Sequence, residues 1–138
     1  MSANSKQVGG DHYKTKYEHW DWALDVGMGV GYLAGCATKY VARARKKNGV
    51  QDLEKADHYV VKILEVARIT EYGRGRSPFT TEFVRANGLN ELEAEFCTIL
   101  AELPSPNALR HARTIVARLI AIERAVPLED SNKHADRA

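Results

Sequence analysis

The chain is poor in cysteine and proline and carries only a slight surplus of positive charge. Its two cysteines in 138 residues, Cys36 and Cys97, lie 61 positions apart inside apolar helical patterns, with no C-x-x-C partner. That argues against a disulfide-stapled scaffold, a zinc ribbon and a redox dithiol, and leaves two buried free thiols as the expectation. The four prolines, at 78, 104, 106 and 127, fall between periodic segments rather than within them. No apolar run approaches the roughly 20 residues needed to cross a bilayer, and Met1-Ser-Ala-Asn-Ser-Lys has none of the apolar stretch of a secretion signal. The expected location is therefore the cytoplasm, with no membrane partner. Lys and Arg total 20 against 18 Asp and Glu, and a net charge of +2 is far from that of a non-specific nucleic-acid binder.

What is present describes one ordinary globular domain: 44% of residues are hydrophobic and 28% charged. A chain of this size buries on the order of two-thirds of its unfolded surface and needs no covalent staple. The small net charge hides an asymmetry, because residues 1–76 carry 13 basic and 9 acidic side chains whereas residues 77–138 carry 7 and 9. An anion-binding surface is therefore expected in the first half.

Apolar spacing is helical throughout, and no segment alternates with period two, so the expected fold is all-α. It is a compact bundle of about five helices with an extended N-terminal arm. The arm spans residues 1–17, and a short helix from Trp20 to Val26 is stopped by the Gly27, Gly29, Gly31 cluster. A second helix runs from Tyr32 to Lys47 with Leu33, Ala37, Val41 and Ala44 on its apolar face, and Asn48-Gly49 ends it. The third runs from Asp52 to Glu71 with Leu53, Ala56, Val60, Ile63 and Ala67 as its seam, and packs antiparallel on the second because the connection is short. Further helices start at Thr80 or Thr81, at the Asn90 cap, and at Ser105-Pro106. This divides the chain into a helical half with its arm (1–72), a linker (73–79), a C-terminal helical extension of the same domain (80–126) and a tail (127–138).

Two segments have the residues for phosphate chemistry. In Gly9-Gly10-Asp11-His12-Tyr13-Lys14 the glycines admit close backbone approach, His12 and Lys14 can bond phosphate oxygens, and Tyr13 can stack on a base. The plainer account is an arm that Tyr13 anchors. In the second helix, Lys39, Arg43 and Lys46 fall at i, i+4 and i+7 beside Tyr40, where mutual repulsion calls for an anion or for carboxylates. The helix dipole accounts for Lys46 and Lys47, but not for Lys39, which lies too far from the helix end. The third helix returns Asp52, Lys55, Asp57, His58 and Tyr59 toward that face. Asp57 can hold Mg²⁺ through water beside a substrate phosphate, although interhelical salt bridges explain the same acids.

Other chemistries find no support. There is no G-x-x-x-x-G-K-[ST] and no H-E-x-x-H, and Gly27-Met-Gly-Val-Gly31 has the wrong spacing for a phosphate loop. The acids Glu91, Glu93, Glu95 and Glu102 are read as a solvated helix face, with a cation held between Glu91 and Glu95 as the alternative.

The blocks Val8-Gly-Gly-Asp-His-Tyr-Lys14, Gly31-Tyr-Leu-x-Gly35-Cys, Lys39-Tyr-Val-x-Arg43-x-Arg45-Lys-Lys-Asn-Gly49-Val and Asp52-Leu-x-Lys55-Ala, followed by His58-Tyr59, occur in a fixed order. In these blocks the chain resembles a phage domain-of-unknown-function family that includes the small nucleotide kinase of T-odd coliphages. The resemblance covers roughly residues 7–68. It implies a phage protein acting on nucleotides in an infected bacterium, through a nucleoside-monophosphate kinase activity that uses no P-loop. The motif positions carried over as nucleotide-binding are Gly10, Asp11, His12, Tyr13, Lys14, Lys39, Tyr40, Arg43, Lys46, Asp52 and Lys55. Ala34 departs from the family, which commonly has an acid there.

The leading expectation is thus a nucleotide-phosphate site in the first half, with Mg²⁺ required if it transfers phosphoryl groups. A phage protein that sequesters a nucleotide signal, or engages a host protein to blunt defence, is the alternative. Homo-oligomerisation is expected from the number of apolar seams, and nucleic acid is not an expected partner.

Overall fold

The computed structural model describes residues 2–9 and 16–126, and among them every regular element is helical. Six α-helices occur: α1 (His19–Asp25), α2 (Gly29–Arg43), α3 (Val50–Val66), α4 (Pro78–Ala86), α5 (Glu91–Glu102) and α6 (Pro106–Arg124). Three short 3₁₀ turns, Ala3–Ser5, Ala44–Lys46 and Ile69–Glu71, join or precede them. The all-α expectation therefore holds. The tail from Pro127 lies outside the described residues.

Four helices make the bundle. α2 packs on α3, α3 on α6, α6 on α5 and α5 on α2, closing a ring around one core. Leu33 and Val41 of α2, Val60 and Ile63 of α3, Phe96 and Leu100 of α5, and Leu109 and Val116 of α6 fill it, all essentially without exposure. These are the three-to-four-spaced apolar positions of the sequence, and burying each Val, Leu, Ile or Phe contributes roughly 1.5–3 kcal/mol. α1 lies against α2, and α4 against α5, outside the ring.

Caps set most boundaries. The Asn90 side chain accepts from Glu93 N–H and the Glu93 carboxylate accepts from Asn90 N–H, both at 2.9 Å, a reciprocal box that starts α5. Ser105 accepts from Ala108 N–H at 3.1 Å, and Pro106 opens α6 at the position where a missing N–H costs nothing. α4 starts at Pro78 on a Ser77 cap, two residues before the threonines expected to begin it.

Three boundaries correct the sequence reading. α2 begins at Gly29, so Gly31 lies inside it instead of stopping α1; a Cβ there would stand 3.0 Å from the Arg74 guanidinium, which lies across the helix. α3 ends at Val66, short of Glu71, because Ala67 turns extended and Arg68 N–H donates to the Glu71 carboxylate at 2.9 Å, which supports a separate turn instead of another helical one. The expected extended arm begins in a 3₁₀ turn anchored by Ala3, which is 3% exposed and whose N–H donates to Glu65 of α3. The 73–79 linker is also held at its start, where Gly73 and Arg74 N–H groups donate to the Leu103 and Glu102 carbonyls.

Gly49 forms the hinge between α2 and α3 at φ 56° and ψ −123°, a region that only glycine occupies cheaply, and a Cβ there would lie 3.1 Å from Glu123 Oε1 of α6. Gly49→Ala should therefore lower stability by about 1–3 kcal/mol, read as an earlier chemical-denaturation midpoint with unchanged slope. Burial pushes the Cys97 thiol up to about 12, so the reactive thiolate is essentially absent at pH 8. Iodoacetamide should spare Cys97 in the folded protein and label it once denaturant is added, as read by mass spectrometry.

Candidate functional site

The turn joining α2 to α3 organises the basic face. Asp52 has no exposed surface, and its carboxylate accepts from Arg43 Nε at 3.2 Å, Arg43 Nη2 at 3.3 Å and Asn48 N–H at 3.3 Å. A buried carboxylate is tolerated only with such company. The pairing spans the turn and fixes where α3 starts against the end of α2.

That register places α2 and α3 aromatics together. Tyr40 and Tyr59 stack with centroids 6.0 Å apart, and Trp20 of α1 meets Tyr59 edge-on at 5.5 Å and His58 at 4.8 Å. Three cations converge on Tyr40: Arg43 Cζ lies 4.7 Å from the ring centroid, Lys39 Nζ 5.3 Å and Lys55 Nζ 5.4 Å. Electron-rich ring faces offset part of their mutual repulsion. Beside this group is a cavity of about 330 Å³, walled by Trp20, Tyr40, Lys55, His58 and Tyr59 together with Gln7, Val8, Glu18 and His19. Burial pushes the Tyr59 phenol well above its ordinary range, and burial and the neighbouring Cys36 push Tyr32 up to about 12. Both stay neutral donors at physiological pH.

The cavity lining carries charge of both signs. Lys55 is one lining residue, and Lys39 and Arg43 meet the Tyr40 ring that also lines it. Glu18, also in the lining, is 7% exposed and accepts from Gln7 Nε2 at 2.9 Å. Aromatic walls with nearby cations fit a flat ligand that carries an anionic group.

The expected site residues divide into three groups. Lys39, Tyr40, Arg43 and Lys55 are brought together, with Asp52 behind Arg43 as its buried counter-charge. Lys46 is exposed on the 3₁₀ turn that follows α2. Gly10, Asp11, His12, Tyr13 and Lys14 lie outside the described residues, although the flanking Gly9 sits against α3, where a Cβ would be 3.1 Å from Gln51 Nε2 and 3.4 Å from Lys55 Cε.

Asp57 is turned away from the cavity. Its carboxylate takes a two-pronged bond from Arg113 of α6, at 2.9 and 3.1 Å, so the salt-bridge reading describes it and the Mg²⁺ role does not draw on it. Nor is Glu93 part of a solvated acidic face: it is 2% exposed and grips Arg45 with two bonds of 2.8 Å. Ala34 faces the core at 5% exposure, where an unpaired acid would be costly; among the described residues, the carboxylate lining the cavity is Glu18.

Glu18 and Gln7 were not legible as site residues in the sequence, since they precede the helices that carry the cations. For Trp20 the available signal was its aromatic ring, which in the structure meets the His58-Tyr59 pair of α3.

Comparison with known proteins adds one observation. Residues 9–61 match the family model DUF3310, described as a protein of unknown function. The matched segment contains α1, α2 and most of α3, and with them Lys39, Tyr40, Arg43, Asp52, Lys55, His58 and Tyr59. Helices α4, α5 and α6, and residues 2–8, lie outside it. No curated protein and no solved structure matches the chain.

Asp52→Ala leaves Arg43 and Asn48 without their acceptor. The expected loss is about 2 kcal/mol, below the range for fully buried pairs because the half-exposed Arg43 can rehydrate. A thermal melt checks this.

Proposed function

We propose that the cavity between α1, α2 and α3 binds a nucleotide, its phosphates at Lys39, Arg43 and Lys55 and its base among Trp20, Tyr40 and Tyr59, and that the protein is a phage-encoded nucleoside-monophosphate kinase without a P-loop. The observation that carries this reading is the convergence of three cations on one ring at the rim of an aromatic cavity. Base–aromatic stacking contributes about 1–3 kcal/mol per base and tolerates different bases. Phosphoryl transfer asks a protein mainly for positioning and charge stabilisation, which clustered cations supply. Mg²⁺ would enter with the phosphates of the donor, and Glu18 is the cavity carboxylate able to hold it through water. The resemblance of the blocks at 8–14 and 39–55 to a phage nucleotide-kinase family agrees with this chemistry.

A second reading has its own observation. α4 buries no residue completely and exposes Phe79 at 78% and Phe83 at 40%, on the part of the chain beyond the matched segment. A protein that sequesters a nucleotide signal, or docks on a host protein to counter defence, would use such a face.

Titration with nucleoside mono- and diphosphates and cyclic nucleotides, read by calorimetry and by chromatography of the recovered nucleotide with and without a triphosphate donor and Mg²⁺, separates the two. The kinase reading expects diphosphate formed over many turnovers, whereas sequestration expects bound nucleotide returned unchanged. Lys39→Ala and Lys55→Ala should each weaken binding by about tenfold or more, the lower end of the range for one charge-assisted phosphate contact, with the melting temperature held. Absence of binding below millimolar concentration would sink both nucleotide readings.

A further inference from the structure

The ligand cavity has a wall that the matched segment does not contain. Residues 2–8 fold back onto α3: Ala3 N–H donates to Glu65 Oε1 at 2.6 Å, and His58 Nε2 donates to the Ala3 carbonyl, also at 2.6 Å. The carbonyl can only accept, so this contact assigns the His58 proton to Nε2. Asn4 is the centre of the arrangement. Its Oδ1 accepts from the Trp20 indole N–H at 2.8 Å and from Lys62 Nζ at 2.9 Å, and its Nδ2 donates to Asp21 Oδ2 at 2.7 Å. Lys62 is 4% exposed, is bonded to Asp21 Oδ1 at 2.8 Å, and lies 5.0 Å over the Trp20 ring.

An ammonium buried to this degree must be fully paired, and its partners are therefore held in place. Here those partners include a face and, through Asn4, the N–H of the indole that walls the cavity. With its N–H fixed by Asn4 and its face against Lys62, Trp20 has little freedom to rotate. Gln7 and Val8, from the same N-terminal segment, line the cavity directly.

We propose that Asn4 and Lys62 are positioning residues of the ligand site: they set the plane of Trp20, and so make residues 2–8 a working wall of a cavity whose cations all lie in the 9–61 segment. The proposal rests on the nucleotide reading for its effect on affinity, but not for its effect on Trp20. A pocket that stacks a ring gains from having its own ring preset, because binding then orders fewer side chains.

The test uses full-length protein carrying Trp22→Phe, so that Trp20 is the only indole, with Asn4→Ala and Lys62→Met made separately in that background. The first arm needs no ligand. Acrylamide quenching of Trp20 fluorescence should rise at least about twofold in each variant as the ring is freed, and quenching unchanged from the parent overturns the positioning role. The second arm compares a nucleoside monophosphate with inorganic pyrophosphate. Both variants should bind the nucleotide at least about fivefold more weakly, the lower end of one base–aromatic stack, and bind pyrophosphate as the parent does. Equal weakening of both ligands, or weakening of neither, overturns the proposal, because a merely structural lesion does not discriminate between them. If the parent itself binds no nucleotide, the nucleotide reading fails while the quenching arm still decides whether Asn4 and Lys62 hold Trp20. Should Asn4→Ala not fold, Lys62→Met acts on the same ring through its face instead of its N–H.

Discussion

Asp52 is the point on which the candidate site depends. A carboxylate with no exposed surface has to be surrounded by donors, and Arg43 and Asn48 can reach it only if the α2–α3 turn adopts the one path that Gly49 permits. That path fixes the axial register of the two helices. Register in turn decides that Tyr40 faces Tyr59, and that Lys55 joins Lys39 and Arg43 around one ring. Shifting α3 by one residue would rotate it by about 100° and scatter the group.

The second charged anchor works through Trp20, a wall of the cavity. Lys62 draws Asn4, Asp21 and Trp20 together, and the N-terminal turn is thereby bound to a helix some sixty residues away in sequence. Both anchors follow one rule: a buried charge must collect its partners, and the partners bring their backbone with them. The C-terminal helices complete the scaffold, since α6 holds Asp57 through Arg113 and α5 holds Arg45 through Glu93. They stabilise the cation-bearing half without lining the cavity.

Much of the fold was legible locally. The Asn90 and Ser105 caps, Pro106 and the three-to-four apolar spacing in α2, α3, α5 and α6 are signals carried within a few residues, and the helices follow them. Boundaries failed for two different reasons. Gly31 reads as a stop but is helical, with Arg74 from a distant part of the chain lying over it, whereas α3 ends early through a local competitor, the Arg68 N–H bonding the Glu71 carboxylate. The site was half legible. Lys39 stood out as a charge that the helix dipole leaves unexplained, with Arg43 beside it by helical spacing and Lys55 returned toward it by the pairing of α2 and α3, whereas Glu18, Gln7 and the Asn4–Lys62 pair follow no spacing rule.

The amino-acid sequence by itself determined an all-helical chain, its cap positions, its apolar faces and the concentration of cations in its first half, because each of these depends on neighbours within one or two turns. Tertiary structure alone decided how the acids were partnered. Asp57 became the partner of Arg113 on α6, Glu93 that of Arg45 on the turn after α2, and Asp52 a buried counter-charge, while Glu18 came to line the cavity. Charge pairing acts across a few ångströms of space irrespective of separation along the chain, so it could be settled only once four helices had closed around their core.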